Sequence, residues 1–314
     1  MKNISFFIVF MSAFFCCKKS DNPVASSSTN KIQGVTTFAV IGTSIYAGTI
    51  NGVFLSTNNG ASWTAVNSGL IYNSGVESLT VSGTNLFAGT YTNGIFLSTN
   101  NGSNWIAVDT GLTYIYSLAS SDTNLFAGTF GFGVFRSTNN GVSWTAINTG
   151  LTGTYIPSLA HHDKNIFAGT DHGIYLSTNN GASWTGVNSG LPNTFVLSLS
   201  FSDTNLFAGT VNSGVFRSTN NGVSWTAVNT GLPNYQVFAL GVSGTNLFAG
   251  TYRGGVFLST NNGTSWFAVN TGLTDVNVFS LIVSGTSIFA GTPSGVFRST
   301  NNGTNWIDVT SGLL

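Results

Sequence analysis

The chain has 314 residues, enough for a large core, yet only 6% of its side chains are charged, nine basic against nine acidic. That balance supplies no field to draw nucleic acid or an anionic membrane surface, so neither is expected as an electrostatic partner. Ser, Thr, Asn and 39 glycines replace charge and suit many tight turns, while 25 Phe, 9 Tyr and 7 Trp provide the apolar area that a disordered chain lacks.

In chain order, Met1-Lys2-Asn3 is a short basic start and Ile4 to Phe15 an apolar run too short to cross a bilayer comfortably. It reads as a signal peptide. The run ends at Cys16-Cys17-Lys18-Lys19-Ser20-Asp21, which holds both cysteines of the chain, so no disulfide framework is expected in the rest. This junction resembles the lipobox of bacterial lipoproteins, in which the cysteine that becomes the new N-terminus carries lipid. The resemblance implies lipidation at Cys17, because Cys16 suits the small-residue slot before it better than Phe15 does; Cys16 is the alternative. Phe14 and Phe15 depart from the usual Leu and small residues there. Acyl chains would tether the domain, each buried methylene contributing about 0.8 kcal/mol, and ordinary secretion is the competing reading. Residues 1–17 are thus assigned as a lipoprotein-type signal peptide and 18–34, with Pro, Ala, Ser and Thr, as a flexible tether.

From Val35 to Leu314 the chain repeats. The stretch Ser56 to Trp63, S-T-N-N-G-A-S-W, returns six more times, leading to Trp105, Trp144, Trp184, Trp225, Trp266 and Trp306 at intervals of 42, 39, 40, 41, 41 and 40 residues counted from Trp63. In the second copy, Val76 to Val81 predicts one strand, Asn85 to Thr90 a second, Ile95 to Ser98 a third and Trp105 to Val108 a fourth, with Gly or Asn-Gly at the turns. No stretch has helical periodicity. Four strands per forty residues, seven times over, predict an all-β, seven-bladed propeller of four-stranded antiparallel blades over residues 35–314. A β-solenoid is the alternative, although its coils usually run shorter. Trp63 and its counterparts, with Phe87, Phe96 and theirs, are expected between blades. The first strand of the first blade and the last of the seventh come from opposite ends, which leaves the closure of the ring open.

The repeated octapeptide resembles the Asp-box, Ser/Thr-x-Asp-x-Gly-x-Ser/Thr-Trp, of bacterial neuraminidases, sortilin-type receptors, some xyloglucanases and photosystem assembly factor-like propellers. The resemblance implies a structural hairpin away from any active site. Each copy departs from it by Asn in place of Asp, at Asn58, Asn100, Asn139, Asn179, Asn220, Asn261 and Asn301. An amide oxygen can still accept the turn's hydrogen bonds, whereas a calcium loop loses its carboxylate.

Catalytic constellations are thin. A neuraminidase would need three arginines on one carboxylate, and Arg136, Arg217 and Arg298 occupy the same third-strand slot of separate blades, on the order of 20 Å apart. Glu77 is the only glutamate and lacks an evident second carboxylate. His161-His162-Asp163 and Asp171-His172 fall at opposite ends of one strand, so no single metal site is expected, and no cofactor.

Function is expected where the repeats differ. The turns between second and third strands and the connectors between blades project from one end, and they carry Tyr72, Tyr91, Tyr114, Phe130, Phe132, Tyr155, Phe195, Tyr235 and Tyr252. The second slot of the first strand adds Thr36, Glu77, Tyr116, Pro157, Leu197, Phe238 and Phe279 near the channel mouth. Of these, Glu77 and Tyr116 join the aromatic set as the candidate binding face, suited to sugar rings or a protein anchor. The expectation is a monomeric, non-catalytic binding or assembly module at the bacterial envelope, held to the membrane only by lipid, with a glycan or protein partner. An Asp-box glycoside hydrolase is the alternative, and a scaffold like the photosystem assembly factors a third reading.

Overall fold

A computed structural model of the protein describes residues 34–313 apart from 73, 110, 122 and 123. The expected signal peptide, with Cys16 and Cys17, and all but the last residue of the tether lie outside the described residues. Each repeat folds as predicted into a four-stranded antiparallel sheet, with strands in sequence order, and there are seven such sheets. The first blade comprises β1 (Val35–Ile41), β2 (Ser44–Thr49), β3 (Gly52–Ser56) and β4 (Thr64–Ala65). First strands touch one another in succession around the ring, and the seventh touches β1, so the first strands line the axis. No helix among the described residues is long and apolar enough to cross a membrane.

Second strands such as Asn85–Thr90 are buried on both faces, because each blade is sandwiched between two others. The core accordingly lies between sheets. Phe207 and Val215 of the fifth blade, for example, pack with Val237, Leu247 and Trp266 of the sixth. The fourth strand is two residues long in six blades, shorter than the pattern predicts, and in the second blade it keeps four residues but starts one later, at Ile106–Asp109. The tryptophan stands just ahead of it, and the reason is that its backbone N–H is used across the joint: Trp225 donates to Ser189 O at 2.8 Å and Trp266 to Thr230 O at 2.8 Å.

The indole completes the joint. Trp225 Nε1 donates to Val187 O and Trp266 Nε1 to Val228 O, both at 2.7 Å. The connector's glycine is forced by this approach: a Cβ on Gly231 would lie 2.2 Å from Trp266 O, and its φ is +81°. Hydroxyls lace the first strands together as well, Ser198 Oγ donating to Val237 O and Ser158 Oγ accepting from Leu199 N.

Closure of the ring uses the same parts. Trp63 Nε1 donates to Val309 O at 2.8 Å, Trp63 N to Ser311 O at 3.1 Å and Ser280 Oγ to Val35 O at 3.0 Å. No described residue of the C-terminal tail adds a strand, and packing of Val35, Ile45 and Trp63 on Phe289, Val296 and Leu313 joins the end blades.

One joint differs. Ten residues separate Trp105 from Ile115, against twelve between Trp144 and Ile156. In the regular connectors an asparagine folds back, as Asn229 Oδ1 accepts from Val215 N at 2.6 Å. Between the second and third blades Asp109 holds that slot and instead accepts from Gly111 N and Leu112 N. Trp144 is only half-buried, and its indole turns to Gly141 O of its own hairpin at 3.0 Å.

Candidate binding face

The repeated hairpins are fully occupied with structure. In the fifth blade Ser218 Oγ donates to Asn220 Oδ1, Ser224 N donates to the same oxygen, and Asn220 Nδ2 donates to Ser224 Oγ, each at 2.9 Å. Gly222 N donates to Ser218 Oγ at 2.8 Å. The amide thus serves as acceptor and donor at once, which accounts physically for a neutral residue in this slot. The next asparagine, Asn221, takes a left-handed φ of 54°, which Asn tolerates.

The three third-strand arginines are likewise structural. Arg136 Nη1 donates to Asn180 O, Arg217 Nη1 to Asn262 O and Arg298 Nη1 to Asn59 O, each clamping the hairpin of the following blade. They serve three separate joints and meet no common ligand. His162 stacks on Phe201 at 4.8 Å, while His172 Nδ1 lies 3.1 Å from Asp171 Oδ1 at the other end of the strand Asn165–Thr170. Among the described residues no group of three or more His, Cys, Asp or Glu could hold a metal.

At the opposite end the second slot of the first strand is a device for aiming side chains. In five blades the register with the second strand slips there, at Thr36, Glu77, Tyr116, Leu197 and Phe238. Such bulges turn one side chain out of the ladder. In the fourth and seventh blades Pro157 and Phe279 immediately precede the strand.

Rings then run edge to face across four blades. Tyr91 lies 4.8 Å from Tyr114 and 6.4 Å from Tyr116, Tyr116 and Phe130 each 5.0 Å from Tyr155, and Tyr155 5.0 Å from Phe195. Each such pair is worth about 0.5–1.5 kcal/mol beyond area burial. Backbone bonds tie the ridge together: Tyr91 N donates to Gly75 O, Tyr114 N to Tyr91 O and Phe130 N to Tyr114 O. Tyr114 carries a φ of 57°, uncommon for a bulky residue and a mark of local strain.

Glu77 joins this ridge. A Cβ on Gly75 would contact Tyr91 Cβ at 3.5 Å and Glu77 Oε1 at 3.7 Å, so the root of the Tyr91 side chain and the carboxyl flank one point. The residue keeps a partly exposed side, but Oε1 is sealed from solvent with no hydrogen-bond partner among the described residues. Burial pushes its carboxyl up to about 7. Burial first, and Glu77 and neighbouring phenols second, raise the phenols of Tyr116 and Tyr155.

Other predicted members stand apart. Tyr72 is 80% exposed and Phe132 55%, neither with a ring contact shown, and Tyr235 packs 6.2 Å from Phe257 as a plug between blades. Tyr252 belongs to a second cluster, 6.3 Å from Phe238, which lies 5.5 Å from Phe279. Arg253, at a left-handed φ of 68°, sits over the Tyr252 ring at 4.9 Å, a pairing that sequence reasoning missed although the two residues are adjacent.

Comparison with known proteins agrees on architecture. A profile of the DUF6242 beta propeller domain matches residues 110–246, and no curated protein matches the chain. The GH74 xyloglucanase from Xanthomonas campestris superposes with a TM-score of 0.78 at 17% identity, over 91% of this chain and 56% of the enzyme. The extracellular domain of a putative one component system from B. thetaiotaomicron gives 0.75 at 20% identity, over 86% of this chain and 39% of that one. YCF48 from Cyanidioschyzon merolae gives 0.66 at 14% identity, over 85% and 95%. The chain therefore spans just over half of the xyloglucanase and less of the extracellular domain. The protein is a seven-bladed β-propeller, and at these identities the likeness speaks for the fold alone.

Proposed function

We propose that the protein is a non-catalytic binding or assembly module that engages a glycan or protein partner through the aromatic end of the ring. The observation that carries this reading is the six-ring ridge from Tyr91 to Phe195 around Glu77, on the end where the repeats diverge. Partly exposed rings packed around the buried Tyr155, with little charge, offer flat apolar contact with polar edges, the usual composition of a binding centre. The related folds use this architecture in several ways: one solved structure is YCF48 bound to D1 peptide, superposing with a TM-score of 0.68. Export to a bacterial envelope and lipidation at Cys17, or at Cys16, complete the reading and rest on the N-terminal residues, with an Asp-box-like hairpin as the structural repeat.

Crosslinking from native envelope tests it, comparing wild type with a variant in which Tyr91, Tyr114, Phe132 and Tyr252 are replaced by Ser. Loss of a defined partner or glycan from the variant is expected, and equal recovery would remove the face from consideration. Metabolic acyl labelling that persists in a Cys16→Ser/Cys17→Ser double variant would refute the anchor.

A glycoside hydrolase is the second reading, favoured by the superposition on the GH74 enzyme and by a glutamate whose carboxyl burial pushes up to about 7. Asp171 shares the neighbour Tyr155 with Glu77. Turnover of sialosides or β-glucans that disappears in Glu77→Gln would establish it and sink the binding-only reading.

A further inference from the structure

An asparagine before a glycine is the pair most prone to lose its side-chain amide, because glycine leaves the following backbone nitrogen uncrowded for attack on the side-chain carbon. The chain has nine such pairs. Seven are the second asparagines of the repeated hairpins, from Asn59 to Asn302, and in each the glycine N–H donates to the hairpin's serine Oγ at 2.8–2.9 Å. That bond pins the nitrogen, and attack requires breaking it.

The other two pairs lie at the opposite end, in turns between second and third strands. At Asn51-Gly52 the glycine is paired with Thr49 in the ladder, and a Cβ on it would lie 2.4 Å from Asn67 Oδ1. At Asn93-Gly94 the ladder stops short of the glycine, at Gly89 with Ile95, and Asp109 in the slot of Asn67 accepts from Gly111 N and Leu112 N instead. Gly94 O accepts from Thr90 N and Oγ1, yet Gly94 N donates to no acceptor among the described residues. The corresponding glycines of the third and sixth blades spend this N–H on the next connector, Gly133 on Thr154 O at 3.2 Å and Gly255 on Val276 O at 2.9 Å. The connector after the second blade is two residues shorter than the one after the third and, at the left-handed Tyr114, bonds to Tyr91 O. The odd joint therefore frees the amide that the regular joints occupy. Asn93 is half-buried, and its side chain makes one bond among the described residues, Nδ2 to Thr92 Oγ1 at 2.9 Å.

We propose that Asn93 is a site of spontaneous deamidation, with water as co-reactant, which converts the turn between the second and third strands of the second blade to aspartate or isoaspartate. Gly94 N gives its proton to solvent and bonds to Asn93 Cγ; the Cγ–Nδ2 bond breaks, and ammonia leaves with a proton from solvent. Water then opens the cyclic imide. Cleavage between nitrogen and Cγ restores the original backbone as aspartate, whereas cleavage between nitrogen and the main-chain carbonyl carbon leaves isoaspartate, with Cγ in the backbone. Nothing is oxidised or reduced. Either product sets a carboxylate two residues from Tyr91, at an end where the described loops expose only His172 and Arg253 as charge-bearing side chains. The step concerns the turn alone and stands whether or not the face binds a partner.

Incubation of the full chain in mildly alkaline buffer, followed by peptide mass spectrometry that separates asparagine, aspartate and isoaspartate, provides the test. Each pair is also timed in denaturant, and its rate there is the reference for its own sequence. Relative to that reference, Asn93 should react about tenfold faster than the hairpin asparagines, the factor that one hydrogen bond of ordinary strength supplies, and should yield both aspartate and isoaspartate. Ser98→Ala takes the acceptor from Gly102 N and should raise the rate at Asn101 several-fold while Asn93 and Asn140 stay unchanged. Ser259→Ala repeats that comparison at Asn262 in the sixth blade, should the first variant unfold and speed every pair alike. Relative loss at Asn51 or at any hairpin asparagine that matches Asn93, aspartate without isoaspartate, or serine variants whose asparagines react as slowly as in wild type would each overturn the proposal.

Discussion

At the end of the ring that carries the repeated hairpins, the serine hydroxyl donates to the asparagine oxygen at 2.9 Å in all seven blades. At the other end a carboxyl oxygen is enclosed without a hydrogen-bond partner among the described residues, and Tyr114 takes a left-handed conformation. One end shows what closing a ring demands of every repeat. The other holds strain and buried charge that contribute nothing to closure, and such features persist only where the surrounding structure over-determines them. The joint between the second and third blades, next to Glu77 and Tyr91, is where this irregularity reaches into the core.

Truncating tryptophans across regular and irregular joints should separate the regions most widely. Trp225→Ala removes a buried indole and its bond to Val187 O, and should cost about 3–5 kcal/mol in denaturant unfolding. Trp144→Ala, half-buried and with its indole bonded to its own hairpin, should cost less than half as much; equal losses would erase the distinction between joints.

The buried carboxyl makes the next contrast. Because its folded value of about 7 lies above the ordinary 4.5, Glu77 loses its proton more readily when unfolded, so stability should fall as pH rises through that window. Glu77→Gln should abolish this fall and stabilise the protein by at most about 3 kcal/mol above pH 7, with little change near pH 4. A wild-type stability curve as flat as the variant's would return Glu77 to the ordinary surface carboxylates.

Smaller effects are expected at the hairpins. Asn220→Ala leaves Ser224 N and Ser218 Oγ without their acceptor and should cost about 1–2 kcal/mol in the same unfolding measurement. Asn220→Asp retains that oxygen, and Ser224 Oγ can turn to donate instead of accept, so its cost should stay below about 0.5 kcal/mol. A large penalty for Asp would show that the amide's donor role matters more than its shape.

Much of this was legible in the sequence because a repeat states each strand seven times. Asn85 to Thr90 and Ile95 to Ser98 fall where the pattern puts them, and the blade register told which turns share an end. The tryptophan before the fourth strand misled slightly, since strand pattern does not reveal that its N–H is spent across the joint. The site was legible as a face but not as a set of contacts. Composition marked Tyr72, Tyr91 and Tyr235 alike, yet one is exposed, one is in the ridge and one is a plug, because packing against Phe257 or Tyr114 depends on backbone bulges and φ values that residue types do not encode. The odd joint did leave a trace, in the 42 and 39 residue intervals on either side of Trp105, although the octapeptide at Trp144 looks like its neighbours.

The arginine clamps have a consequence that comes from counting around a circle. Third, fifth and seventh blades each give a clamp, and fourth, sixth and first each receive one. Givers and receivers can alternate without fault only on an even circle, and seven is odd, so one member must be left out of the pairing. That member is the second blade, with Leu97 in its own clamp slot and Leu55 in the slot of the blade before it, and it is the blade that bears Glu77 and Tyr91. Parity requires one unpaired blade, and the placement of the arginines makes it the blade beneath the candidate site, whose hairpin no arginine clamp among the described residues holds and which clamps no other.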